Sequence, residues 1–275
     1  ALDPVALEPM GFALESGRGL VSLVKNILKV TLVFELTGAV LSFLVFRRDY
    51  PPVHALGISL FHSIAAFNNS GFDILGGLKN LSGYRDNVLL NLTTAGLITF
   101  GGLGFLVIMD IVRKRSFKKL CLHSKAVITT SAILLVVGTV LIRMTEQITW
   151  LGAFFTSVSA RTAGFSTFSL GNFTNAGLLT VTVLMFIGAS PGSTGGGIKT
   201  STLAVLLLYV HSNIRQTYGV EIFGRRLQDE SIRQSACILT INLSLMLTAT
   251  ILIMVFQNLP MSDVFFETCS AIGTS

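Results

Sequence analysis

Apolar runs of two lengths alternate along the chain, and this alternation restricts the folds open to it more than any other feature. Leu20 to Phe46, Asn87 to Val112, Lys125 to Met144 and Ala236 to Phe256 are each long enough to cross hydrocarbon about 30 Å thick, which takes roughly 20 residues. Between them lie Ala55 to Phe67, Trp150 to Ala160 and Asp263 to Ile272, which are too short to span and lead into small polar residues and glycine. These short runs read as re-entrant helices. Non-helical backbone survives at membrane depth only beside water or buried protein. Each short run, with the turn after it, therefore belongs on the wall of an internal pathway.

Charge supports the bilayer reading. Charged residues make up 12% of the chain, against about a quarter in soluble domains. The formal charge of +6 would suggest nucleic acid in a soluble protein, but here topology accounts for it. Arg18, Lys25, Lys29, the six basic residues from Arg113 to Lys125 and the four from Arg215 to Arg233 fall on one side of the spans. Arg47, Arg48, Lys79, Arg85 and Arg143 fall on the other, and Arg161 and Lys199 lie within apolar segments. The excess marks the inner side, so the re-entrant runs enter from outside. Cys121, Cys237 and Cys269 lack CxxC spacing, and the four histidines have no partner at ligand spacing. No metal cofactor, nucleic-acid partner or catalytic constellation is expected, and the chain does not read as an enzyme.

The short runs repeat. Phe61-His62-Ser63 with Asn69-Ser70-Gly71-Phe72 superposes on Phe154-Phe155-Thr156 with Thr162-Ala163-Gly164-Phe165, an offset of 162 − 69 = 93. Phe266-Glu267-Thr268 with Thr274-Ser275 repeats the pattern a further 274 − 162 = 112 on. A cation shedding its hydration shell needs closely placed oxygens, and backbone carbonyls supply them without a full charge that would trap the ion. Gly71 and Gly164 suit backbone angles closed to other residues. Asn69, Ser70, Phe72, Thr162, Ala163 and Phe165 would contribute carbonyls, their side chains packing away from the axis. The same superposition brings Glu267 near Arg161 and suggests an ion pair bracing the turns. Glu35, in mid-span, needs a buried partner or a proton.

A second feature interrupts the run from Ala176 to His211. Ser190, Pro191, Gly192, Ser193, Thr194, Gly195, Gly196, Gly197, Ile198 and Lys199 include a proline and four glycines, which break a helix. The break over 188–198 should face the pathway on the inner side of the carbonyls, where it is a gate candidate. A phosphate-binding loop is the rival reading, but Ile198 stands between the last glycine and Lys199, so GxxxxGK[ST] is missed by one residue. Glycines 188, 192 and 196 at spacing four also suit close helix packing, and Lys199 could serve the pathway or snorkel to the inner interface.

The stretches FHSIAAFNNSGFD, SARTAGFS, GASPGSTGGGIKTST and FFETCSAIGTS resemble the membrane subunits of the Trk/Ktr/HKT cation transporters, most closely the Ktr type. The resemblance covers nearly the whole chain. It implies an all-α membrane protein of repeated helix–pore-loop–helix units, arranged with pseudo-fourfold symmetry around one pore. On that pattern 1–19 is a cytoplasmic lead-in, 20–112 the second repeat, 113–124 a basic cytoplasmic loop and 125–212 the third repeat. Residues 213–235 form another cytoplasmic loop, and 236–275 begin the fourth repeat. The first repeat and the end of the last are missing from this pattern, so the sequence reads as a fragment.

The resemblance further implies K⁺ held at the filter carbonyls, with glycine favouring K⁺ over Na⁺, and a gating role for the loop ending at Lys199. It implies passive K⁺ uptake across a bacterial inner membrane, Na⁺ as a possible coupling or activating ion, and no covalent cofactor. A homodimer and a cytoplasmic nucleotide-binding, RCK-type regulatory subunit on the basic loops are the implied partners. An alternating-access secondary cation transporter is the alternative. Such carriers commonly use inverted repeats, whereas these copies run in one direction.

Overall fold

The computed structural model describes residues 17–77, 79–216 and 219–275. Of the lead-in assigned to 1–19, residues 1–16 lie outside the described residues, and 17–19 already belong to the first helix.

Ten α-helices are described. Helix α1, Gly17–Phe46, runs 30 residues and turns at Tyr50-Pro51 into α2, Pro52–Phe67. Pro52 opens α2 at a position where its missing N–H costs nothing. After a loop come α3, Val88–Leu103, and α4, Phe105–Lys114. The next unit is α5, Leu122–Thr145, α6, Trp150–Ser159, α7, Asn175–Phe186, and α8, Thr200–Ile214. A two-residue hairpin, β1 Glu221–Ile222 with β2 Arg225–Arg226, precedes α9, Asp229–Phe256, and α10, Met261–Gly273. Helices α1, α5 and α9 are long and apolar enough to cross a membrane; the bent pair α3 and α4 could add a fourth crossing.

Side-chain oxygens set several starts. Asn87 accepts from Leu90 N at 3.0 Å, and Thr149 and Thr174 accept from Gly152 N and Gly177 N at 3.1 Å, filling donors that a helix start leaves open. Buried Glu146 accepts from Thr174 N at 2.9 Å and Thr174 Oγ1 at 2.7 Å, tying the end of α5 to the start of α7. Helix α9 begins seven residues before the expected Ala236, with Asp229 and Glu230 in its first turn, where the helix dipole favours acid.

The span expected from Asn87 to Val112 is not one helix. It breaks at Gly104, where φ is +88°, and α4 departs from α3 at 98°. Apolar residues continue through the break, and the glycines at 101, 102 and 104 are its signal in the sequence. The free N–H of Phe105 is satisfied from outside the pair, by Gly192 O at 3.2 Å. Each short helix packs against the long one before it. Ser63 donates to Glu35 O at 2.6 Å and Ser157 to Leu135 O at 3.2 Å. The two serines differ by 157 − 63 = 94 positions, so α6 is one residue out of the register of 93 that relates the turns, and the expected match of Ser63 to Thr156 is corrected to Ser157.

The main core lies where these units meet. Phe46, Ile58, Phe67, Leu90, Ile98, Phe155 and Val158 are all within it and at most 2% exposed. His62 is buried there, bonded to Thr94 Oγ1 at 2.8 Å and edge-on to Phe46 and Phe165.

Candidate functional site

Three turns following α2, α6 and α10 converge. In each, the first residue has a left-handed backbone although it is not glycine: φ is +51° at Asn69, +86° at Thr162 and +57° at Thr274. Two residues on, the first two turns repeat it at Gly71 (+69°) and Gly164 (+74°). For a β-branched residue such as Thr162 this is a genuine outlier, of the kind that persists only where surrounding structure dictates it. Thr162 is fully buried. Successive residues on alternate sides of φ = 0 change carbonyl direction along the turn.

The turns touch one another. A Cβ placed on Gly71 would lie 2.5 Å from Ala163 O and 3.2 Å from Gly164 Cα; one on Gly164 would lie 3.1 Å from the Ser275 carbonyl carbon. The Asn69 amide pairs with Thr162 Oγ1 at 3.1 Å; with its oxygen as the acceptor, its nitrogen reaches Ala66 O at 3.2 Å and Ile98 O at 3.3 Å. Thr162 N donates to Ser275 Oγ at 3.1 Å, and that hydroxyl donates to Ala160 O at 3.1 Å. Ala163 and Phe165 are buried. Ser70 Oγ turns back to Ala65 O at 3.1 Å. Phe72 departs from the expected packing: it is 69% exposed, whereas Phe165 is seated against His62.

The break between α7 and α8 covers 187–199 and packs directly on those turns. Thr194 Oγ1 donates to Phe67 O at 3.3 Å, Gly196 N donates to Thr274 Oγ1 at 2.9 Å, and Gly195 leaves no room for a side chain against Thr162. One segment thus meets the second and third turns and the end of α2, from which the first turn leaves. Its other edge is bonded to the helices: Ser190 N to Gly102 O at 3.0 Å, Ile198 N to Phe186 O at 3.1 Å and Gly197 N to Ile272 O at 3.2 Å. Ser193 closes a turn on Ser190 O. Pro191 is buried, and its carbonyl abuts Gly104. Lys199 reaches back to Gly195 O at 2.6 Å and so holds the loop's own backbone.

Arg161 and Glu267 are not brought together. Among the described residues the ion pairs are Arg85–Asp86, Lys114–Asp110 and Arg233–Glu230. Arg161 is buried and turns to α5, donating to Ser131 O and Ser131 Oγ at 3.4 Å each. Glu267 stands on the exposed side of α10, away from buried Val264 and Thr268. Glu35 finds its partner in Asn68 Nδ2 at 3.0 Å, immediately before the first turn. Sequence reasoning missed Gly104 and Asn68; a cluster of glycines at the inner end of α3 was the available signal for the first.

Helices long and apolar enough to cross a membrane, alternating with short helices whose turns meet beside a broken helix, define an all-α, multi-pass membrane protein. The family model described as TrkH, cation transport protein, matches residues 15–127 and 124–275, and the chain belongs to that family. It is 39% identical over 268 residues to the Ktr system potassium uptake protein B of Vibrio alginolyticus, covering 92% of this chain and 58% of that protein. It is 34% identical over 276 residues to the potassium/sodium uptake protein NtpJ of Enterococcus hirae, covering 95% and 61%. The chain therefore spans about three-fifths of the length of these relatives. The crystal structure of the potassium transporter TrkH from Vibrio parahaemolyticus superposes with a TM-score of 0.77 over 98% of this chain and 60% of that one; at 18% identity this likeness shows the fold.

Proposed function

We propose that the turns 69–72, 162–165 and 274–275 are three sides of a carbonyl-lined K⁺ filter, that 188–198 is the gate beneath it, and that permeation is passive. The single observation carrying this reading is the recurrence of left-handed backbone at Asn69, Thr162 and Thr274 in turns that touch. Repeated units around one axis, with pseudo-fourfold symmetry in the whole protein, are part of the same proposal, and the recurrence supports them. Carbonyls held by neighbouring backbone replace water around a cation without fixing it by a full charge. The loop's bonds to Phe67, at the end of α2, and to Thr274 support that position for it.

The named activities of the Ktr and NtpJ relatives support K⁺ as the ion, and the second name keeps Na⁺ as a coupling or activating ion within the reading. The bacterial plasma membrane, a homodimer and an RCK-type regulator on the basic loops belong to the same proposal. The test is radiolabelled Rb⁺ uptake into proteoliposomes bearing the full-length parent protein with its regulator. Wild type should take up Rb⁺ over Na⁺, Gly164→Ser should lose that preference, and deletion of Gly195 to Gly197 should leak. No cation flux in wild type would sink the reading.

A further inference from the structure

Two spaces in corresponding positions differ sharply in size. One, between α3 and α5 beside Val158 of α6, has only about 20 Å³ of room, with the Arg161 side chain on its wall. The other, between α7 and α9 beside Cys269 of α10, has about 400 Å³. Arg161 stands on the wall of the smaller space, whereas the corresponding Gly273 packs against Met185 O and does not line the larger one.

The larger cavity exposes no polar atom. The Thr182 hydroxyl on its wall is bonded back to Leu178 O at 2.7 Å, and the Cys269 thiol faces Met246 Sδ at 3.1 Å. Water needs two to four polar partners, and apolar cavities of only about 150 Å³ stay dry and take up hydrocarbon. Around the mouth, Val183, Leu207 and Leu243 are 50%, 59% and 42% exposed, and the neighbouring α9 is long and apolar enough to cross a membrane. The floor holds Ile187 and Ile198, near the two ends of the 187–199 loop.

We propose that this cavity is a binding site for one acyl chain of a membrane phospholipid, entering sideways between α8 and α9, and that the chain braces the 187–199 loop from behind. Hydrocarbon is the solvent at the mouth, it has no polar group to desolvate, and an empty cavity would leave Ile187 and Ile198 without contacts on one side. The bracing rests on the gate reading above, whereas occupancy does not.

The experiment is structure determination of the full-length protein in nanodiscs of phospholipid brominated in mid-chain, together with Rb⁺ uptake by two variants. Wild type should show bromine density against Ile187 and Ile198. Leu207→Trp, at the mouth, should expel that density and change uptake by about fivefold or more. Leu245→Trp, exposed on α9 but away from the cavity, should do neither. An empty cavity in wild type, or one filled by another segment of the protein, overturns the site whatever the variants do. Density expelled with uptake unchanged overturns the bracing, and absent uptake in wild type with density present fails the gate reading alone.

Discussion

Replacing Gly71 with alanine tests whether the turns are held by one another. An L-residue in the left-handed region costs roughly 1–2 kcal/mol. The new methyl would also sit 2.5 Å from Ala163 O and 3.2 Å from Gly164 Cα, both backbone atoms that cannot rotate away. Relieving such overpacking costs about 1–3 kcal/mol, for a total of roughly 2–5 kcal/mol. Gly76→Ala is the matched control: its φ is +86° and nothing lies within 4 Å of the added carbon, so it carries the backbone cost alone. Denaturation of both full-length variants in one detergent should separate them by about 1–3 kcal/mol. If even 1.4 kcal/mol of that strain reaches the ion site, K⁺ over Na⁺ discrimination should fall by about tenfold in Gly71→Ala and stay unchanged in Gly76→Ala. Equal stability and intact discrimination in the two variants would refute contact between the turns.

Three further outcomes are expected. Arg161→Glu combined with Glu267→Arg should not rescue the loss caused by Arg161→Glu, because the guanidinium answers to Ser131; recovery of Rb⁺ uptake in the double variant would restore the ion pair. Thr194→Val removes the loop's bond to Phe67 O, worth about 1 kcal/mol, and should raise cation leak by about fivefold in flux assays. Tyr84 donates to Asp49 Oδ2 at 2.8 Å, joining the loop after α2 to the end of α1. Burial, then the Asp49 bond and charge, push the Tyr84 phenol up. Its contribution is thus fully present below about pH 10, the unfolded value, and is lost as pH rises through the folded one. Tyr84→Phe should flatten that alkaline loss of stability.

Periodicity and length made the helices legible, because a run of twenty apolar residues and a run of twelve have different places to go. The turns were legible through their repetition: Gly71 and Gly164 announce themselves. Thr162 does not, since nothing in a threonine signals a left-handed backbone; that conformation is imposed by Ser275, Asn69 and Gly195 from three other parts of the chain. The same holds for Arg161, whose direction depends on the crossing of α5 and α6 rather than on any spacing. The break at Gly104 was hidden because apolar residues continue through it, and only its partner Gly192, 88 positions away by 192 − 104, explains how the freed N–H is satisfied.

That partnership sets a condition on movement. The loop holds the N–H of Phe105 and gives up its own Ser190, Gly196, Gly197 and Ile198 N–H groups to neighbours. Displacing it would strand five donors at once, each costing about 1–3 kcal/mol if nothing replaced its acceptor. Water arriving in the space the loop vacates is the replacement at hand. If the loop is the gate proposed above, wetting and unblocking would be a single event, and agents that dry the passage would hold it shut without touching the loop.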